Sequence, residues 1–213
     1  MKHTPETPRK LTPAEERRKA AFDQIAAELA AAGYRQEALT IGLVRANVLA
    51  IVLALPIVAI LLVAFSAVHP EGDSGAVSFG GILGFFAVFF LLIFVHEGIH
   101  GLTWAIFAPD HLHAISFGVI WQYLTPYCTC AQPLSRRAYA LGGMMPTLLL
   151  GFLPALAAVV NGSAALWGMG AVMIFAGGGD LAVFLKLLRF SPGTRDVVYL
   201  DHPYECGLVA FLR

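Results

Sequence analysis

Charge is what this chain has least of. Only 13% of its 213 residues are Asp, Glu, Lys or Arg, while 58% are hydrophobic; soluble domains carry about 25% charged residues. Water is therefore not its main solvent. The charges balance, 14 basic against 14 acidic, and no basic stripe interleaved with aromatics occurs, so no nucleic-acid partner is expected. Cysteine is scarce and odd in number: Cys128, Cys130 and Cys206 are poor material for a disulfide framework. No internal repeat or low-complexity run is evident. A cleavable signal peptide is not expected either, because about 45 largely polar residues precede the first apolar run.

Long apolar runs are what the chain has instead. Segments 46–68, 77–108, 139–160 and 164–188 each reach the ~20 residues that a membrane span needs. The expected fold class is mainly α: a polytopic membrane protein with four transmembrane helices surrounded by membrane lipid. Lys and Arg set the orientation. They fall within the first 45 residues, at Arg136 and Arg137, and from Lys186 onward, with none in 69–76 or 161–163. By the positive-inside rule both termini face the cytoplasm, where the three cysteines stay reduced. Asn161-Gly162-Ser163 matches a glycosylation sequon but lies in a tight turn against the membrane, where its use is not expected.

Three regions follow: a cytosolic N-terminal segment over 1–40, a four-helix membrane domain over 41–190, and a cytosolic tail over 191–213. Residues 1–11 are polar and proline-punctuated, which suggests disorder. Thr12-Pro13-Ala14-Glu15 reads as a capping box with proline at the first helical position. Phe22, Ile25, Ala26 and Leu29 follow at helical spacing, and Gly33 supplies a stop. The result is an amphipathic helix whose alanine-rich stripe favours packing on the protein over lying on a membrane. Between the second and third runs, 113–137 is rich in β-branched and aromatic residues, with breaks at Gly118 and Thr125-Pro126. It reads as two or three short strands on the cytosolic side. The tail ends in an apolar stretch expected to fold back onto the protein.

Of the 14 acids, only Glu97 and Asp180 lie deep within the apolar runs, and His96 and His100 lie beside Glu97. Ionisable groups in hydrocarbon are costly and signal a site. Depth agrees: His100 is eight residues from Ala108 and Asp180 eight from Leu188, so each sits about 12 Å from the cytosolic edge at 1.5 Å per residue. His96 and His100, four apart, project from one helix face and can share a metal. Glu97 is placed to act on a metal-bound water without being a ligand, which is the His-Glu-x-x-His arrangement. The extended form with a third histidine is absent, since Thr103 and Ile106 occupy the positions of its glycine and last histidine. Asp180 is the one remaining candidate at membrane depth for a third ligand. A hydrogen-bonded polar knot joining helices is the plainer alternative. Asp110, His111 and His113 fit solvated loop residues better than a surface metal site. Cys128-Thr129-Cys130 places two thiols on one strand face and is a weak metal signal. Gly177-Gly178-Gly179 suits close approach of the fourth span to the helix of His96 and His100, as do Gly98 and Gly101 on that helix, and is no phosphate loop.

HEGIHGLTWA, PYCTCAQPLS, GGGDL and DHPYECG, in that order, resemble the family of small bacterial membrane proteins known as putative zincin peptidases. The resemblance covers about residues 85 to 207. More distantly the chain is similar to the site-2 proteases, intramembrane zinc peptidases. The resemblance implies one zinc on His96, His100 and Asp180, with Glu97 as general base, in a bacterial cell membrane. Where site-2 proteases show Asp-Gly, this chain has Gly179-Asp180-Leu181, and it shows no clear counterpart of their asparagine near the scissile carbonyl. The expected function is zinc-dependent intramembrane or membrane-proximal peptide hydrolysis, on a membrane-protein or peptide substrate that could pair along an edge of the 114–130 strands. The alternatives are a non-catalytic, metal-stapled protein that binds or regulates a partner, and a transporter subunit whose acids carry ions.

Overall fold

The computed structural model describes residues 11–71, 78–120, 125–193 and 196–213. The expected disorder over residues 1–11 thus falls almost wholly outside the described residues, as do Asp73 and Arg195. Helix α1 spans Pro13–Ala31 and starts as its sequence dictates. Thr12 Oγ1 accepts from the Glu15 N–H at 3.3 Å, and the Glu15 carboxylate accepts from the Thr12 N–H at 2.8 Å, closing the capping box. At the other end Gly33 takes φ +90°. The Tyr34 N–H then reaches the Leu29 carbonyl and the Gly33 N–H the Ala30 carbonyl, both at 3.0 Å, which satisfies the last orphan carbonyls of the helix.

Phe22, Ile25, Ala26 and Leu29 of α1 pack on Leu200, Val209 and Phe211. These belong to an antiparallel sheet of three strands, β1 (Arg35–Ile41), β4 (Val197–Asp201) and β5 (Cys206–Leu212), in the order β1-β5-β4. Arg35 pairs with Leu212 and Ile41 with Cys206, so the segment after α1 and the tail meet in one sheet. The apolar tail does fold back, and β5 is its buried central strand. The sequence reading missed β1. Gly207, at φ +127°, permits the crossing: a Cβ there would lie 2.5 Å from the Leu39 carbonyl oxygen.

Among the described residues, three helical stretches are long and apolar enough to cross a membrane. They are α2 (Leu43–Val68), α3 (Phe79–Phe107), and a composite of α4 (Arg136–Pro146), a π-helical turn (Thr147–Phe152) and α5 (Leu153–Asn161). The fourth expected span is broken. It consists of α6 (Ala164–Ala176) and α7 (Gly178–Arg189), bent by 52° at Gly177. The 29 residues of α3 make about 43 Å of helix, well beyond a hydrocarbon core of about 30 Å. Its outward face exposes Phe86, Phe90 and Phe94, as a lipid-facing helix should.

After α3, residues 113–137 do contain strands: β2 (Ile115–Ile120) and β3 (Thr125–Cys130) form an antiparallel hairpin. Gly101 of α3 lets it dock, since a Cβ there would lie 2.6 Å from Phe117 Cζ and 2.9 Å from Ile115 Cγ2. The glycines of α7 likewise serve neighbours that differ from those the sequence suggests. A Cβ on Gly178 would lie 2.6 Å from that of Ala50 in α2, and one on Gly177 would strike Thr147, so the close approach is to α2 and the third span rather than to the histidine helix. Arg136 ties α4 to the end of α7 by donating to the Leu187 and Leu188 carbonyls at 2.6 and 3.1 Å. A cation at a helix C-terminus is favourable for both its charge and its hydrogen bonds.

Candidate metal centre

Helical periodicity puts His96, His100 and Trp104 on one face of α3, and their rings touch in sequence, His96 edge-on to His100 at 78°. The imidazole centroids are 4.8 Å apart, and His100 lies nearly parallel to Trp104 at 5.2 Å and 16°. This face meets α4. Gly142 allows contact, because any Cβ on it would collide with the Trp104 ring.

A proline sets the next feature. Pro146 has no N–H, so the Gly142 carbonyl four residues earlier lacks its helical donor. That carbonyl instead lies 2.8 Å from His100 Nδ1. Because a carbonyl can only accept, Nδ1 carries a proton, and Nε2 is the nitrogen left to face the site. The orientation of the His100 ring is thus fixed by a gap in another helix. His96 is also buried, at 6% exposure, yet its Nδ1 has no partner among the described residues.

Both Nε2 atoms point at Asp180, in the first turn of α7 just beyond the Gly177 bend. Asp180 Oδ2 lies 3.0 Å from His96 Nε2 and 3.5 Å from His100 Nε2. Thr147 Oγ1, on the π-helical turn and fully buried, lies 3.5 Å from the same oxygen. Donor atoms of His96, Glu97 and His100 all fall within 4.8 Å of one another. The structure therefore brings all four sequence-predicted residues, His96, Glu97, His100 and Asp180, to one place.

The donor set suits zinc: two imidazole nitrogens and a carboxylate. Tetrahedral zinc with bonds of about 2.0–2.1 Å separates its ligand atoms by about 3.3 Å, and the spacings here bracket that value. Glu97 comes from the neighbouring direction on the helix and faces the hairpin, with the Cys128 N–H of β3 against its carboxylate. The other cysteine and histidine candidates form no such group. Among the described residues no further cluster of three metal-binding side chains occurs; the His111 ring contacts the Ala105 carbonyl and Asp110 pairs with Gln132. Asn161, in the sequon, folds its side chain onto the Ser163 N–H at 2.9 Å.

Gly142, Thr147 and Trp104 escaped the sequence reading. A count of ionisable groups cannot register a carbonyl, a hydroxyl or an indole. The spacing of Pro146 from Gly142 was the one available signal.

A family model described as "Putative zincin peptidase" matches residues 89–195, a stretch that holds all four converging residues. No curated protein and no solved structure matches the chain.

Proposed function

Because the chain belongs to the putative zincin peptidase family, we propose that it is a zinc-dependent peptidase acting within or beside a bacterial cell membrane, with both termini in the cytoplasm. The observation that carries the reading is the convergence of His96 and His100 Nε2 on Asp180 Oδ2, at 3.0 and 3.5 Å, from helices distant in sequence. His96, His100 and Asp180 would hold the ion. Zinc, when bound there, supplies a Lewis acid that brings the pKa of water to about 7 and polarises a carbonyl. Glu97 accepts the proton of the attacking water and passes it to the leaving amine nitrogen. The Gly142 carbonyl keeps the His100 lone pair directed at the site.

Substrate would enter as an extended segment, since a helical amide is closed to attack. The ladder selects the edge it would meet. The Ala131 N–H bonds the Ala114 carbonyl, so Thr129 and Tyr127 also face β2, and Cys128 and Cys130 direct their backbone groups outward. The Cys130 N–H is already engaged by Asp201 and the Cys128 N–H lies against Glu97; the outward group left on this edge beside Glu97 is therefore the Cys128 carbonyl. Pairing there aligns a peptide with the carboxylate that handles its proton.

Metal content of the detergent-purified chain tests this reading, together with hydrolysis of membrane-protein fragments. About one zinc per chain is expected in wild type and in Glu97→Gln, with hydrolysis lost in the latter. Absence of zinc from folded wild type refutes the site. Bound zinc without hydrolysis would move the assignment to the metal-stapled, non-catalytic alternative.

A further inference from the structure

The tail motif DHPYECG takes no part in the chemistry above, yet its first residue reaches toward the site. We propose that Asp201 is a positioning residue, which holds strand β3 against Glu97 and helix α4 against His100. The inference rests on the peptidase reading for its purpose, though the tie itself stands on geometry alone.

Asp201 ends β4, and each of its oxygens is used. Oδ1 accepts from the Tyr139 hydroxyl at 2.6 Å, and Oδ2 accepts from the Cys130 N–H at 2.9 Å. Those partners lie 62 and 71 residues away, on α4 and β3, and both are buried. One carboxylate thus joins the tail, the third span and the hairpin. Short contacts to a charged acceptor are the stronger kind of hydrogen bond.

Each arm continues to the site. On the α4 side, the Tyr139 carbonyl accepts from Trp104 Nε1 at 3.3 Å, the two rings lie 5.7 Å apart, and Trp104 stacks on His100. On the hairpin side, Cys130 and Cys128 share the outward edge of β3, and the Cys128 N–H lies against Glu97. Asp201 pins one N–H of that edge, and the general base faces the other. The motif is therefore the strut that fixes the distance between the peptide-pairing edge and the ligand helix. Neutral replacements cannot do this equally: an Asn amide presents one acceptor where Asp presents two.

The test uses the full chain in detergent, as wild type, Asp201→Asn, Asp201→Ala and Tyr139→Phe. Two readouts are taken: the visible spectrum of the cobalt(II)-substituted chain, and the rate at which iodoacetamide labels Cys130. Asp201→Asn and Asp201→Ala should shift the cobalt bands and label Cys130 about tenfold faster, as a released strand opens locally. Tyr139→Phe, which frees only the α4 arm, should shift the bands while labelling stays near the wild-type rate. A purely structural role would lower the melting temperature and leave both readouts at wild-type values in the folded protein, which overturns the proposal. If Asp201→Ala does not fold, Asp201→Asn and Tyr139→Phe carry the decision. If wild type binds no cobalt, the peptidase reading falls, and Cys130 labelling alone decides whether Asp201 ties β3.

Discussion

Replacing Pro146 by Ala should strengthen the fold and weaken the metal site. Alanine restores an N–H at the place where α4 now lacks one, and the nearest acceptor is the Gly142 carbonyl. That carbonyl is 2.8 Å from His100 Nδ1; a helical donor draws it back toward the helix axis and away from the imidazole. Losing such a partner behind a metal-binding histidine typically costs 10–100-fold in affinity, about 1.4–2.7 kcal/mol at 1.36 kcal/mol per decade. The folding terms run the other way. Alanine is favoured over proline inside a helix by about 3 kcal/mol. Pro146 is fully buried, and removing two methylenes gives back about 1.6 kcal/mol. The metal-free protein should therefore gain roughly 1 kcal/mol. Zinc competition against a chromophoric chelator measures the first effect, and thermal unfolding of the metal-free chain measures the second. Ordinary damage would lower both quantities together. Unchanged zinc affinity in a well-folded Pro146→Ala protein would refute the claim that the missing N–H serves His100.

Two further outcomes can be measured on the same preparations. Gly101→Ala introduces a methyl 2.6 Å from Phe117 Cζ and 3.1 Å from Cys128 Sγ. It should cost about 1–3 kcal/mol of stability and, by pushing the hairpin off α3, lower peptide hydrolysis well beyond any loss of zinc; equal losses would speak against a role for the β3 edge. Burial pushes the Cys130 thiol up to about 11, and the Cys128 thiol higher still. The folded chain thus holds these protons more tightly than the unfolded chain, so stability should fall as pH rises from about 9 toward 11. Iodoacetamide labelling of native protein should stay slow at pH 8 and climb with pH, whereas rapid labelling at pH 8 would contradict the buried placement.

The fold was legible where local chemistry decides it. The capping box at Thr12, the stop at Gly33 and the long apolar helices all follow from neighbours in sequence. The sheet did not follow, because β1 earns its place only by pairing with β5: Arg35 lies opposite Leu212, and its burial runs in a block rather than alternating. A seven-residue strand with a polar first half carries no period-2 signal. Nor did the bend at Gly177 show in the sequence. Hydropathy counts residues across 164–188 and is blind to direction, so it merged two helices that meet at 52° into one span.

That bend explains why the candidate ligands were easier to find than their supports. In a straight fourth span Asp180 would continue the line of α6. With the chain turned at Gly177, Asp180 stands in the first turn of a new helix, with its Oδ2 facing His96, His100 and Thr147. A carboxylate and two imidazoles announce themselves in hydrocarbon because each is expensive there without a partner. The groups that aim them carry no charge: a proline that withholds one N–H, a glycine that admits an indole, a threonine under a bend. None is ionisable, so none can be picked out by a census of charge. Yet they decide which nitrogen of His100 faces the site and where the carboxylate of Asp180 points. In a membrane protein the sequence shows its chemistry through what is improbable in lipid, and hides its geometry in residues that lipid tolerates.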